Sequence, residues 1–349
     1  MATTERLSVA IFGASGYTGA ELVRLLAHHP RVRIVALTAD RAAGKPLAAV
    51  FPHLGLLDLP ALQRIEDVAL DGLDAIFLGL PHGTTQGVVA ALPAGLRAID
   101  LSADFRLRDP SLYAEIYGKA HAAPELQTEA VYGLTEFARD ALPDARLVAC
   151  PGCYPTTAQL PLRPLLEAGL IDPDAIVIDA KSGVSGAGRA AKESSLFAEM
   201  GEGFAAYGVA THRHAPEIEQ GLADSLGRPL TVGFTPHLVP MTRGILATCY
   251  VRLADGAAPE DLDGALRRRY ADEPFVRVLP FRALPSTLHV RGSNHCLIAA
   301  HPDRRPGHAI LLAVTDNLVK GAAGQAVQNL NVMFGLDERA GLGTLPLYP

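Results

Sequence analysis

Ser8-Val9-Ala10-Ile11-Phe12-Gly13-Ala14-Ser15-Gly16-Tyr17-Thr18-Gly19 is an apolar run that breaks at once into glycines. Leu22, Val23, Leu25 and Leu26 follow at helical spacing. Strand, glycine-rich turn and helix in that order form the context of a dinucleotide fingerprint. The first glycine permits the tight turn, the second lets the backbone approach a pyrophosphate, and the third lets helix and strand pack closely. The helix N-terminus then faces the diphosphate charge. Gly13, Ser15, Gly16, Tyr17, Thr18 and Gly19 are the candidate cofactor residues. The spacing is G-x-x-G-x-x-G, one residue longer than the commonest form.

Outward from this turn, strand-like runs recur at Arg33–Thr38, Ala75–Leu80 and Ala98–Ser102, the last two separated by a helix from about Thr84 to Leu92. Alternation of this kind predicts right-handed crossovers and a parallel sheet, with ligands bound at the carboxyl ends of its strands. Asp40 and Arg41 follow the second strand and point in opposite directions, the acid toward a ribose hydroxyl of NAD and the arginine toward the 2′-phosphate of NADP. Pro81-His82-Gly83 and Ser102-Ala103-Asp104-Phe105-Arg106 close two strand ends. His82 reads as a turn residue. Arg106 reads either as a two-pronged anion contact or as a surface ion pair with Asp104 or Asp109. From Asp109 to Pro143 little periodicity shows, and the stretch reads as a long ordered excursion.

A second decisive stretch is Ala149-Cys150-Pro151-Gly152-Cys153-Tyr154-Pro155. A strand ends before it and helical spacing begins after it, so Cys153 falls at a helix N-terminus. Unpaired backbone N–H groups and the helix dipole there favour a thiolate. Further on, Lys181-Ser182-Gly183-Val184-Ser185-Gly186-Ala187-Gly188 follows another strand, and Thr211-His212-Arg213-His214-Ala215-Pro216-Glu217 leads into a helix. The glycine loop reads equally as a ligand contact or as a flexible connection. A histidine is the usual general acid or base near neutral pH. No H-E-x-x-H or paired C-x-x-C zinc pattern occurs, so no metal is expected. Apolar, β-branched runs at 230–240, 245–253, 276–279 and 296–300 predict a largely antiparallel mixed sheet, the kind of surface on which oligomers form.

A length of 349 residues predicts two domains, and 49% hydrophobic with 19% charged residues is ordinary for a globular protein. A net charge of −6 argues against nucleic acid or an anionic membrane as partner. No apolar run is long enough to span a bilayer, and the first residues lead straight into a strand without a targeting pattern. Four cysteines make no disulfide framework and suit a reducing cytoplasm. Cofactor turn, helix-terminal cysteine, histidine and arginine together suggest thiolate attack on an activated acyl group followed by hydride transfer. Two other classes compete. Cys150-Pro151-Gly152-Cys153 is a C-x-x-C, open to dithiol–disulfide exchange, and the glycine turn alone would serve a non-enzymatic NADP sensor.

Six motifs in order also carry a resemblance: Gly13–Gly19, Leu101–Arg106, Pro151–Pro155, Lys181–Gly188, His212-Arg213-His214 with Pro216-Glu217-Ile218, and Asp316-Asn317-Leu318-Val319-Lys320-Gly321. Over essentially its whole length the chain resembles the N-acetyl-γ-glutamyl-phosphate reductases of the aspartate-semialdehyde-dehydrogenase-like superfamily. The resemblance implies an α/β protein with a Rossmann-type NADP-binding domain (1–149), an α+β catalytic and oligomerisation domain (150–316) and a C-terminal helix (317–349) returning to the first. It implies reduction of N-acetylglutamyl 5-phosphate to the semialdehyde with NADPH, as part of arginine biosynthesis, by a homodimer or homotetramer. It places Cys153 on the nucleophile and Arg106 near the phosphate. It puts His212 on the general base, with His214 as fallback and substrate contact. Arg41 falls on the 2′-phosphate contact, and Ser185, Gly186 and Asn317 on the cofactor site. Cys150, where the family commonly has Asn, leaves a Cys150–Cys153 disulfide open, and Asp40 stands where a small hydroxyl residue is more usual. The nearest relative with another substrate is the aminoadipyl-phosphate reductase of lysine biosynthesis.

Overall fold

The computed structural model describes residues 6–193 and 196–349. It divides into two compact units, Met1–Pro151 with Ala322–Gly343, and Gly152–Gly321 with Thr344–Pro349.

The first unit begins with β1 (Leu7–Phe12), α1 (Tyr17–Leu26), β2 (Val32–Thr38), β3 (Leu62–Gln63), β4 (Ala75–Leu78), α2 (Thr85–Ala90) and β5 (Arg97–Asp100). It continues with α3 (Pro110–Tyr117), α4 (Pro124–Gln127), β6 (Ala130–Tyr132), α5 (Thr135–Ala138) and β7 (Leu147–Ala149). The sheet is parallel throughout, in the order β3-β2-β1-β4-β5-β7-β6. Its central strands are nearly continuous apolar runs because both faces are covered; Val9, Ala10, Ile11, Ile76 and Phe77 are fully buried. Strand order reverses between β1 and β4, and the ends of these two strands form the crevice where such sheets bind ligands.

The stretch from Asp109 to Pro143, in which the sequence shows little periodicity, holds three short helices and the edge strand β6. The local signals for α3 are present: Asp109 caps it by accepting from the Ser111 N–H at 2.8 Å, Pro110 opens it, and Gly118 ends it at φ +70°. Eight residues are too few for an apolar period to declare itself.

The second unit opens with α6 (Cys153–Glu167), β8 (Ile171–Gly183), α7 (Phe197–Met200), β9 (Ala205–Ala206), α8 (Ala215–Leu226) and β10 (Gly233–Val239). Then come β11 (Ile245–Leu253), α9 (Pro259–Arg269), β12 (Val276–Val278), β13 (Cys296–Pro302) and β14 (His308–Thr315). The mixed sheet runs β12-β13-β14-β11-β8-β10-β9, with parallel pairs only at β12–β13 and β8–β10. Strand β8 is longer than its apolar core, Ala175–Asp179, because it runs on through Lys181 and Ser182 to Gly183.

On the inner face of the mixed sheet Ile178, Ala180, Ala247, Cys249, Leu311 and Ala313 are buried beneath α6 and α9. The Tyr270 hydroxyl, just past α9, donates to the Leu160 carbonyl in α6 at 2.5 Å. On the opposite face the rows Val177–Tyr250–Ile310 and Lys181–Leu246 remain only half-buried, and Val177 is 48% exposed.

A five-residue π-helical turn, Val319–Ala323, leads into α10 (Gly324–Met333). This helix lies in the first unit, where its polar side chains are buried and paired. Asn331 meets the His29 ring at 2.8 Å, and Asn329 meets the Thr135 hydroxyl at 2.6 Å and the Gly133 carbonyl at 2.8 Å.

Candidate active site

The glycine turn between β1 and α1 has the form a dinucleotide needs, and its three glycines differ in why they are glycine. Gly13 sits at φ +86°, and a Cβ there would lie 2.3 Å from the Gly79 carbonyl oxygen. A Cβ on Gly19 would lie 2.4 Å from the Gly13 oxygen. Gly16 is under no such pressure, for its nearest neighbour would be 3.6 Å away. Its missing side chain leaves the N-terminus of α1 open. No side chain caps that helix and no acid stands in its first turn, so its N–H groups suit an anion. These residues fit a dinucleotide diphosphate. Ser15 lies in the turn, Tyr17 and Thr18 open α1, and Arg41 and Asp40 are exposed just beyond β2.

Arg106 is buried. Its Nε donates to the Cys150 carbonyl at 2.8 Å and an Nη to the Leu101 carbonyl at 2.9 Å, fastening together the chain beyond β5 and β7. Asp104 has other work: it accepts from the N–H groups of Gly83 and Thr85 and from the Tyr113 hydroxyl. His82 is an exposed turn residue whose Nδ1 accepts from the Ala103 N–H. Cys150 is fully buried, beside the Asn329 amide at 3.6 Å, and burial pushes its thiol up to about 12. A thiol so placed is inert, which argues against the dithiol reading.

Cys153 is the first residue of α6, a fifteen-residue helix. The N–H of Gly152, the residue before it, donates to the buried Glu217 carboxylate of α8 at 2.8 Å. From the π-helical turn, Gly321 presses on the cysteine so closely that a Cβ at 321 would lie 2.7 Å from the Cys153 Cβ. The turn is closed by the Gly321 N–H on the Asp316 carbonyl at 2.9 Å. Neither Glu217 nor Gly321 stands out for this role in the sequence, since each reaches the cysteine through the fold.

Around the next residue, Tyr154, an aromatic cluster forms. The Tyr207 hydroxyl donates to that of Tyr154, which donates to the His237 carbonyl, each at 3.2 Å. Burial raises both hydroxyls, Tyr207 to about 12, so neither ionises near neutral pH. The His212 ring packs edge-on against Tyr154, Tyr207 and Phe234 at centroid distances of 5.7, 5.3 and 5.4 Å, and lies 4.8 Å from the His214 ring. Burial first, and the neighbouring Arg213 charge second, bring His212 down to about 4.

The glycine loop after β8 is ordered into a short 3₁₀ turn and tied to two other segments. Asn317 donates to the Ser185 hydroxyl at 2.9 Å and accepts from the Gly244 N–H at 2.8 Å. Backbone bonds from Val184 and Ser185 to Met241 and Thr242 complete the tie. Among the expected residues, Ser185, Gly186 and Asn317 are thus brought together, as are Cys153, His212 and His214 through Tyr154. Gly13 to Gly19, Arg41 and Arg106 belong to the first unit.

Comparison with known proteins bears on the fold and the family. Residues 8–145 match the semialdehyde dehydrogenase NAD binding domain, and residues 153–317 the semialdehyde dehydrogenase dimerisation domain. The N-acetyl-γ-glutamyl-phosphate reductase of Rhodospirillum rubrum is 62% identical over 99% of this chain and 100% of its own length. That of Cereibacter sphaeroides is 57% identical over 98% and 99%. A probable chloroplastic reductase of the same name from Arabidopsis thaliana is 56% identical over 98% and 86%. Among solved structures, aspartate semialdehyde dehydrogenase II from Vibrio cholerae shares the fold with a TM-score of 0.72 at 18% identity, over 94% of this chain and 98% of that one. With this fold and this identity over its length, the chain belongs to the N-acetyl-γ-glutamyl-phosphate reductase family.

Proposed function

We propose that the chain carries out the reaction for which its family is named: NADPH-dependent reductive dephosphorylation of N-acetyl-L-glutamyl 5-phosphate to N-acetyl-L-glutamate 5-semialdehyde, a step of arginine biosynthesis. The observation that carries this reading is Cys153 as the first residue of α6, against Gly321 and beside the Tyr154–Tyr207–His212 cluster. Cys153 attacks the acyl carbon as a thiolate. A C–S bond forms, the C–O bond to phosphate breaks, and a thioester on Cys153 results. Bound NADPH supplies the hydride that reduces the acyl group. When the aldehyde leaves, the C–S electron pair returns to Cys153. His212 and His214 serve the oxygen and proton chemistry of these steps, and Arg106 steadies the phosphorylated end of the substrate. Gly13 to Gly19 hold the diphosphate, Arg41 the 2′-phosphate, and Ser185, Gly186 and Asn317 the nicotinamide end.

A second copy of the chain covers the outer face of the mixed sheet, giving a homodimer or a tetramer built from it. The partly exposed row Val177–Tyr250–Ile310 across β8, β11 and β14 and the match to a dimerisation domain support this assignment. No helix among the described residues is long and apolar enough to cross a membrane, and four free thiols suit a reducing cytoplasm.

The deciding experiment is the reverse reaction: NADP⁺ reduction by N-acetylglutamate semialdehyde, with and without inorganic phosphate, for the wild type and Cys153→Ala. Dependence on both phosphate and Cys153 is the expected result. Reduction without phosphate, or without the cysteine, would replace this reading with another aldehyde oxidation.

A further inference from the structure

The bond from the backbone N–H of His214 to Nδ1 of His212, at 3.0 Å, fixes more than the position of the ring. A backbone N–H can only donate, so Nδ1 must present its lone pair, and the one proton of a neutral imidazole then resides on Nε2. Protonating the ring would set two N–H groups against each other. His212 also lies just before α8, whose N-terminal dipole disfavours a cation. The rings packed against it carry no negative charge, being Tyr154 from α6, Tyr207 beyond β9, Phe234 from β10 and His214, and the adjacent Arg213 adds a positive one. The anion that the reaction places by this cluster is the Cys153 thiolate, next to Tyr154. The low affinity of the ring for a proton, about 4, agrees with this geometry.

We propose that His212 is a fixed hydrogen-bond donor rather than the general base: its neutral Nε2–H stabilises the oxyanion that develops on the substrate carbonyl. The inference rests on the reading of Cys153 and its histidine neighbours as the reaction centre. A neutral imidazole at a helix N-terminus can polarise a carbonyl without transferring its proton. The balance of the reaction allows it. Thiolate attack and loss of phosphate pass through an oxyanion that collapses to the thioester. Hydride addition gives a second oxyanion, which collapses to the aldehyde and returns the thiolate. The carbonyl oxygen gains and loses charge twice and needs no proton. The one proton consumed overall leaves on the phosphate, as hydrogen phosphate.

Two measurements test this. In wild-type enzyme labelled with ¹⁵N-histidine, the His212 resonances, assigned by their loss in His212→Gln, should show a bare Nδ1 and a protonated Nε2. They should not titrate over the range of roughly pH 5–8 in which an ordinary histidine does. In turnover, His212→Gln keeps an N–H donor near the Nε2 position but cannot act as a base. It should retain kcat within about tenfold, whereas His212→Ala should lose about 10²–10³-fold, the usual cost of removing an oxyanion donor. Equal losses in the two variants, no loss in either, an Nδ1–H tautomer or an ordinary titration would each overturn the proposal. Failure of the underlying reaction reading shows elsewhere, as turnover that survives Cys153→Ala, and leaves the tautomer measurement standing.

Discussion

The cofactor turn and the cysteine site teach opposite lessons about how a site is encoded. Gly13, Gly16 and Gly19 lie within seven residues of chain. Gly19 is glycine because of Gly13 and Ala14 in the same stretch, and Gly13 turns at φ +86° against the more distant Gly79 carbonyl past β4. Cys153 is held by groups distant in sequence: Glu217 of α8 accepts from the residue before it, Gly321 of the π-helical turn touches its Cβ, and the ring of Tyr154 beside it meets His212. A site of the first kind can be read from spacing. One of the second kind shows only its anchor until the fold is known.

The sharpest way to break the comparison is at the anchor itself. Cys153→Ala should lower turnover at least about 10⁴-fold, as loss of a covalent nucleophile does, while NADP(H) affinity, measured by fluorescence titration, stays unchanged. Weakened cofactor binding would show that the two regions are not separable. Gly321→Ala comes next. With a Cβ 2.7 Å from that of Cys153, the cysteine must shift, and a displacement of this kind costs about 10²-fold in kcat. An unchanged kcat with normal thermal stability would remove Gly321 from the support of the nucleophile.

Much of the fold was legible for the same reason as the cofactor turn. Strands β1, β2, β4 and β5 and the helices α1 and α2 declare themselves by short apolar runs, helical spacing and glycine punctuation, and β11 by its apolar, β-branched run. What stayed hidden depends on pairing across the chain. Strand β3 is two residues long, and β6 joins the sheet beyond β7, out of sequence order. Arg106 could be singled out but not placed, because its two carbonyl partners, on Leu101 and Cys150, converge only when β5 and β7 pair. Sequence marks His212 and His214 as a pair of candidates. The bond from the His214 backbone to the His212 ring, which sets the two apart, is a matter of geometry alone.

Within the cofactor turn the comparison sharpens further. Gly19→Ala forces a Cβ to 2.4 Å from backbone and should cost about 1–3 kcal/mol of stability, read by denaturant unfolding. Gly16→Ala meets only an ordinary contact at 3.6 Å and should leave stability within about 0.5 kcal/mol of the wild type, yet raise KM for NADPH several-fold. If KM does not move, Gly16 does not face the diphosphate.

The smallest effect separates the two units by the sign of their proton linkage. In the second, His212 is brought from 6.5 down to about 4, so the unfolded chain binds its proton first. Stability is therefore lost as pH falls from about 6.5 toward about 4. In the first, Asp100 at the end of β5 is raised by burial from 3.8 to about 7, although it accepts bonds from the Ser102 N–H and hydroxyl. There the folded chain holds the proton longer, and stability is lost as pH rises from about 4 toward about 7. The two trends oppose each other over nearly the same window, so the wild-type profile alone hides both. Thermal unfolding against pH should therefore split in the variants. Relative to the wild type, His212→Gln should gain stability on the acid side and Asp100→Asn on the neutral side. Parallel profiles for all three proteins would mean that neither group is held as its surroundings require.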